Sequence, residues 1–166
     1  MDTIFDRVLD NITKFLSCTA TACMILIVVF NVFSRTIFSK SLLFAEELGY
    51  MFFIYSVFFG VCVVYKRMGL ITIDIVVDKL PPLVNRIVLT FTFVLLFVVN
   101  LILLWFSWNL TIGSWTRTTP SLGIPYFFNY LSPTLAFLIL AYYSLRFFMM
   151  EIKGEKIEEL PMELKS

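Results

Sequence analysis

The residues of this chain best able to do chemistry are few, and they stand at the edges of apolar runs. Glu46-Glu47 is an adjacent acidic pair just ahead of the charge-free run 48–65. Such a pair could hold a cation or dock a basic partner helix. Equally, two carboxylates at a helix start are stabilised by the positive end of its dipole. Asn100 is the one strongly polar side chain near the centre of a predicted span. In lipid its amide needs a partner on another helix, a bond worth about 1 kcal/mol, so helix association is favoured over solute binding. Arg117 is the lone charge ahead of Pro120-Ser121-Leu122-Gly123-Ile124-Pro125, a turn shaped by Gly123 and Pro125. The turn could contact a soluble component outside the membrane, or be no more than a rigid re-entry turn.

Several chemistries are excluded by what the chain lacks. With no histidine, histidine-ligated haem, histidine-containing metal sites and the commonest general base are all missing. Cys18, Cys23 and Cys62 fall inside predicted spans without a C-x-x-C pair, which suits small apolar residues better than a redox relay. No nucleophile–base arrangement, metal-ligand spacing or phosphate-binding glycine loop occurs. The expectation is a protein that is not an enzyme and carries neither cofactor nor metal. A formal net charge of +1 gives no case for nucleic acid as a partner.

What positions these residues is set by four apolar runs without internal charge, at 15–34, 48–65, 87–110 and 126–145. At about 1.5 Å per residue, roughly 20 helical residues cross the hydrocarbon core of a bilayer. The composition agrees: 60% hydrophobic residues and 15% charged, with a mean hydropathy of +0.90, exceed what a soluble domain would expose. The chain is therefore read as an all-α integral membrane protein with four transmembrane helices plus short amphipathic interfacial helices. Residues 1–149 form one membrane domain and 150–166 a polar tail. Too little chain remains outside the spans for a separate folded domain. A small multidrug exporter also has four helices, but would be expected to bury a carboxylate in a span, and none is placed there.

The connectors carry their own patterns. Residues 1–14 place Ile4, Phe5, Val8, Leu9 and Ile12 on one stripe, fitting either an interfacial helix or an extension of the first span. The N-terminus lacks the basic leader of a cleaved signal, so the first helix is expected to stay in the mature chain. Ile73, Val76, Val77 and Leu80 predict a short amphipathic helix that Pro81-Pro82 ends. Trp105, Trp108 and Trp115 sit toward the far end of the third run, as in an interfacial aromatic belt, and Pro133 predicts a kink in the fourth helix. Ten of the Lys and Arg residues fall in the two termini and the middle connector. Only Arg35, Lys40 and Arg117 fall on the other side. By the positive-inside rule both termini are cytoplasmic.

Three stretches carry a family resemblance. Glu46-Glu47 opens an aromatic helix. Lys66-Arg67-Met68-Gly69-Leu70-Ile71-Thr72-Ile73-Asp74 is followed by Asp78-Lys79-Leu80-Pro81. Pro120-Ser121-Leu122-Gly123-Ile124-Pro125-Tyr126 precedes Pro133. In this order and spacing they resemble the small membrane subunit of tripartite ATP-independent periplasmic (TRAP) transporters, over about residues 5–150. Leu70 stands where that family carries histidine, and Phe44-Ala45 where it carries tryptophan.

The resemblance implies a bacterial inner-membrane setting and a set of partners. A large multi-span membrane subunit would bind sodium and substrate and move them. A periplasmic substrate-binding protein would capture an organic anion such as a dicarboxylate or sialic acid. The small subunit would be a non-catalytic scaffold among membrane lipid that helps dock the capture protein. Its interface candidates are Glu46, Glu47, Asn100, Arg117, Gly123 and Pro125. Two alternatives remain open at this point: a stand-alone, homo-oligomeric small transporter, and a membrane anchor for a redox complex.

Overall fold

The computed structural model describes residues 4–38, 42–68 and 82–153. These residues form four helices, α1 (Ile4–Phe38), α2 (Leu43–Met68), α3 (Pro82–Gly113) and α4 (Phe127–Lys153). All four are long and apolar enough to cross a membrane. Each predicted span lies within or nearly within one helix, and every helix runs past it. The amphipathic helix expected before Pro81-Pro82 and most of the tail expected at 150–166 lie outside the described residues.

Residues 4–14 extend the first span as one continuous helix. Their polarity is inverted relative to a water-facing helix. Ile4, Val8 and Ile12 are exposed, at 84%, 50% and 51%, whereas Asp6 is fully buried. Asp6 and Asp10 are turned onto neighbouring helices and Ile4, Val8 and Ile12 outward, the arrangement lipid favours, while Leu9 packs against the core. At 35 residues α1 is about 52 Å long, well beyond a hydrocarbon core of about 30 Å. It must tilt or project from the bilayer.

The helices form an open row in the order α1, α2, α4, α3. α1 packs on α2, α2 on α4, and α4 on α3, with no extended packing between α1 and α3 among the described residues. α4 is central: half of its most apolar stretch is buried, against 6% in α1. The main core joins Phe59 and Cys62 of α2, Phe93 of α3, and Ala136, Leu140 and Phe147 of α4.

Because lipid tails are as apolar as leucine, burying such side chains drives association weakly in a bilayer. Close van der Waals approach and interhelical hydrogen bonds matter more. The seams are built accordingly. Between α1 and α2, Thr21 and Ser56 share a hydroxyl bond of 2.5 Å, and Ser17 Oγ donates to the Ser56 carbonyl at 3.3 Å. Beside them, a Cβ added at Gly60 would lie 3.4 Å from Ser17 Oγ, so the missing side chain permits this approach. Between α2 and α4, Ala136 is fully buried and its carbonyl accepts from Cys62 Sγ at 3.6 Å.

α4 continues through Pro133, whose ring nitrogen cannot donate to the preceding turn. Hydroxyls gather there. Thr111 of α3 and Thr134 each donate to the Tyr130 carbonyl at 3.0 Å, and Ser107 meets Thr134 at 2.7 Å.

Candidate functional site

The six interface candidates separate into two places. Glu46, Glu47, Arg117, Gly123 and Pro125 lie at the end of the molecule where α1 joins α2 and α3 joins α4. Asn100 lies within the helix row.

At the connector end, two acceptors shape the start of α2. Asn31 Oδ1 of α1 accepts the Leu42 N–H at 3.1 Å, and the Leu42 carbonyl accepts from Ala45 and Glu46. Glu47 then points away from its own helix. Its carboxylate accepts the Ser121 N–H at 2.7 Å and the Leu122 N–H at 2.9 Å. The buried Thr119 hydroxyl approaches the same carboxylate. The sequence gives no sign of this contact: cation holding, docking of a basic partner helix and helix-dipole stabilisation do not involve a distant turn of the same chain. Glu46, its neighbour, is exposed.

The turn is closed on itself as well. Thr118 and Pro125 pair as an isolated antiparallel bridge, with Tyr126 N–H donating to Arg117 O at 2.8 Å and Thr119 N–H to Ile124 O at 2.9 Å. Gly123 donates to the Thr119 carbonyl at 3.0 Å and has φ 67°, a left-handed conformation open to glycine without steric cost. Arg117, Pro120, Ser121 and Leu122 are exposed on its surface. Trp115, beside it, meets Phe127 edge-on at 4.9 Å and remains 58% exposed.

Asn100 is buried, and its amide donates to the Leu96 carbonyl at 2.8 Å and to Ser144 Oγ at 3.3 Å. Ser144 also bonds Tyr65 at 2.7 Å. A single buried hydroxyl therefore ties α2, α3 and α4, and Asn100 serves helix association.

The chain matches the sequence model of the family described as "Tripartite ATP-independent periplasmic transporters, DctQ component" over residues 24–154. The chain belongs to this family. It is also 28% identical over 130 residues to a Haemophilus influenzae protein named "Putative TRAP transporter small permease protein", covering 78% of this chain and 79% of that one. As a DctQ component it is a multi-pass membrane part of a transporter.

Two features of this DctQ chain escaped the sequence reading. One is an ion network at the end where α1 begins and α4 finishes. Asp6 pairs with Arg146 and accepts from Tyr142 Oη at 3.1 Å, while Asp10 pairs with Lys14 at 2.5 Å and Lys66 at 3.3 Å. Its only signal was the acidic spacing of Asp6 and Asp10 on one face of a helix whose other face is apolar. The other is the hydroxyl seam of Ser107, Thr111, Thr134 and Ser144. Hydropathy ranks serine and threonine as nearly neutral, which hid the seam. Among the described residues no group of three or more Cys, Asp or Glu gathers as a metal site.

Proposed function

We propose that this DctQ component is the fixed, non-catalytic partner of a large transport subunit in a bacterial inner membrane, with both termini cytoplasmic. The complex imports an organic anion such as a dicarboxylate or a sialic acid, driven by sodium. The large subunit carries substrate and sodium. The small subunit widens the stationary part, and its periplasmic turn around Arg117 helps dock the substrate-binding protein.

The observation that carries this reading is how the polar groups within the helix row are used. Asn100, Ser107, Thr111, Thr134 and Ser144 all bond across helix seams. Each makes at least one bond that holds helices together, which suits a scaffold better than a solute path; Ser132 Oγ and Tyr143 Oη, also buried in α4, have no hydrogen-bond partner among the described residues. The outer helices α1 and α3 add long exposed apolar faces, including Phe30, Phe33, Phe91 and Phe106. Such faces suit lipid and a large neighbour.

Reconstitution in liposomes tests the reading. Uptake requires this chain, the large subunit and the binding protein together with a sodium gradient, and Arg117→Glu raises the binding-protein concentration needed for half-maximal uptake. Solute uptake by this chain alone rejects the scaffold role. Unchanged half-saturation in Arg117→Glu removes that residue from docking.

A further inference from the structure

Every N–H group in residues 119–124 has an acceptor, Pro120 having none to offer. Thr119 donates to the Ile124 carbonyl, Gly123 to the Thr119 carbonyl and Ile124 to Thr119 Oγ1. Those acceptors belong to the turn itself. The two successive donors at the tip, Ser121 and Leu122, are served by another helix through the Glu47 carboxylate. Consecutive N–H groups converging on one point form an anion-binding concavity, and hydrogen bonds to a charged acceptor are stronger than neutral ones. Here the anion is a side chain of the protein.

We propose that Glu47 is the positioning residue of the docking turn: its carboxylate holds the 121–122 tip in the shape that a periplasmic binding protein engages. This rests on the docking role proposed above, and it adds the residue that sets the geometry of that surface. The support runs through three elements. Asn31 of α1 accepts from Leu42, which fixes the start of α2. α2 aims Glu47 just past its first turn, and Glu47 holds the tip beside the exposed Arg117. Without the carboxylate, the two exposed tip donors turn to water and the tip keeps only the turn's own hydrogen bonds. Preorganisation of this kind lowers the ordering cost of association, so its loss weakens binding while leaving substrate movement through the large subunit intact.

The test uses the complete complex with its binding protein, comparing wild type with Glu47→Gln. The glutamine amide keeps the side-chain length but turns one acceptor into a donor that faces another donor. Amide exchange at Ser121 and Leu122 is expected to speed severalfold, with no change in α3 or α4. The binding-protein concentration for half-maximal uptake is expected to rise severalfold at an unchanged maximal rate. A merely structural role would instead lower the maximal rate or the yield of complex. Glu47→Asp, which keeps the charge but withdraws it by one methylene, should fall between the two. It carries the same measurements if Glu47→Gln assembles poorly.

Equal exchange at 121–122 in all three proteins overturns the proposal. So does unchanged half-saturation in the Glu47 variants while Arg117→Glu still raises it, an outcome that leaves the docking role standing. Unchanged half-saturation in the Glu47 variants and Arg117→Glu alike overturns the docking role and the proposal together.

Discussion

Asp6, in the first turn of α1, forms an ion pair with Arg146, near the far end of α4, and its side chain is wholly buried there. α1 otherwise packs on α2, so this pair and the Tyr142 bond beside it pin the terminal end of α1 to the central helix. Removing one member of a buried pair strands the other charge, at a cost of about 3–5 kcal/mol. Arg146 keeps 19% side-chain exposure and can be partly hydrated, which points to the lower end.

Asp6→Ala is therefore expected to destabilise the protein by about 3 kcal/mol, read as lowered resistance to denaturant in detergent. The double exchange Asp6→Arg with Arg146→Asp should recover part of that loss. Equal loss in the single and double variants would show that the pair itself contributes nothing.

Asn100 and Tyr65 meet through Ser144 rather than directly. Asn100→Leu alone is expected to cost about 1 kcal/mol, since an interhelical hydrogen bond in a bilayer is worth little more. Combined with Tyr65→Phe, the effects should be non-additive by about 0.5 kcal/mol, the signature of a shared partner. A double-mutant cycle of unfolding free energies measures this.

Ala136 is fully buried where α2 meets α4, with Cys62 against its carbonyl. Ala136→Leu adds volume with no space to receive it and should cost about 1–3 kcal/mol. It should also open Cys62 to a lipid-soluble thiol reagent. In the wild type Cys18, which is exposed, should label first and Cys62 last. Labelling of Cys62 at the rate of Cys18 would contradict the packing of this seam.

Gly123 has open space around its Cα, so only its positive φ resists a side chain. Gly123→Ala should cost about 1 kcal/mol through backbone strain, and Gly123→Asn less, because asparagine tolerates the left-handed region. Thermal unfolding should rank glycine above asparagine above alanine.

The number, class and approximate position of the helices were legible in the sequence. Runs of about 20 residues without charge have one stable placement in a bilayer, with every backbone group bonded within its own helix. The turn at 120–125 was legible for a similar local reason: proline and glycine restrict the backbone wherever they stand. Which side chains meet could not be read that way. Glu47 was visible as a carboxylate at a helix start, but the tip it holds lies 74 residues further on, beyond α3. In the sequence Asp6 and Asp10 merely fall off the apolar stripe; α2 and α4 bring Lys66 and Arg146 against them. Partition into lipid and backbone restriction act residue by residue along the chain. Pairing of a buried charge or an orphan N–H depends on what a distant segment brings within about 3 Å, and only the packed helices decide that.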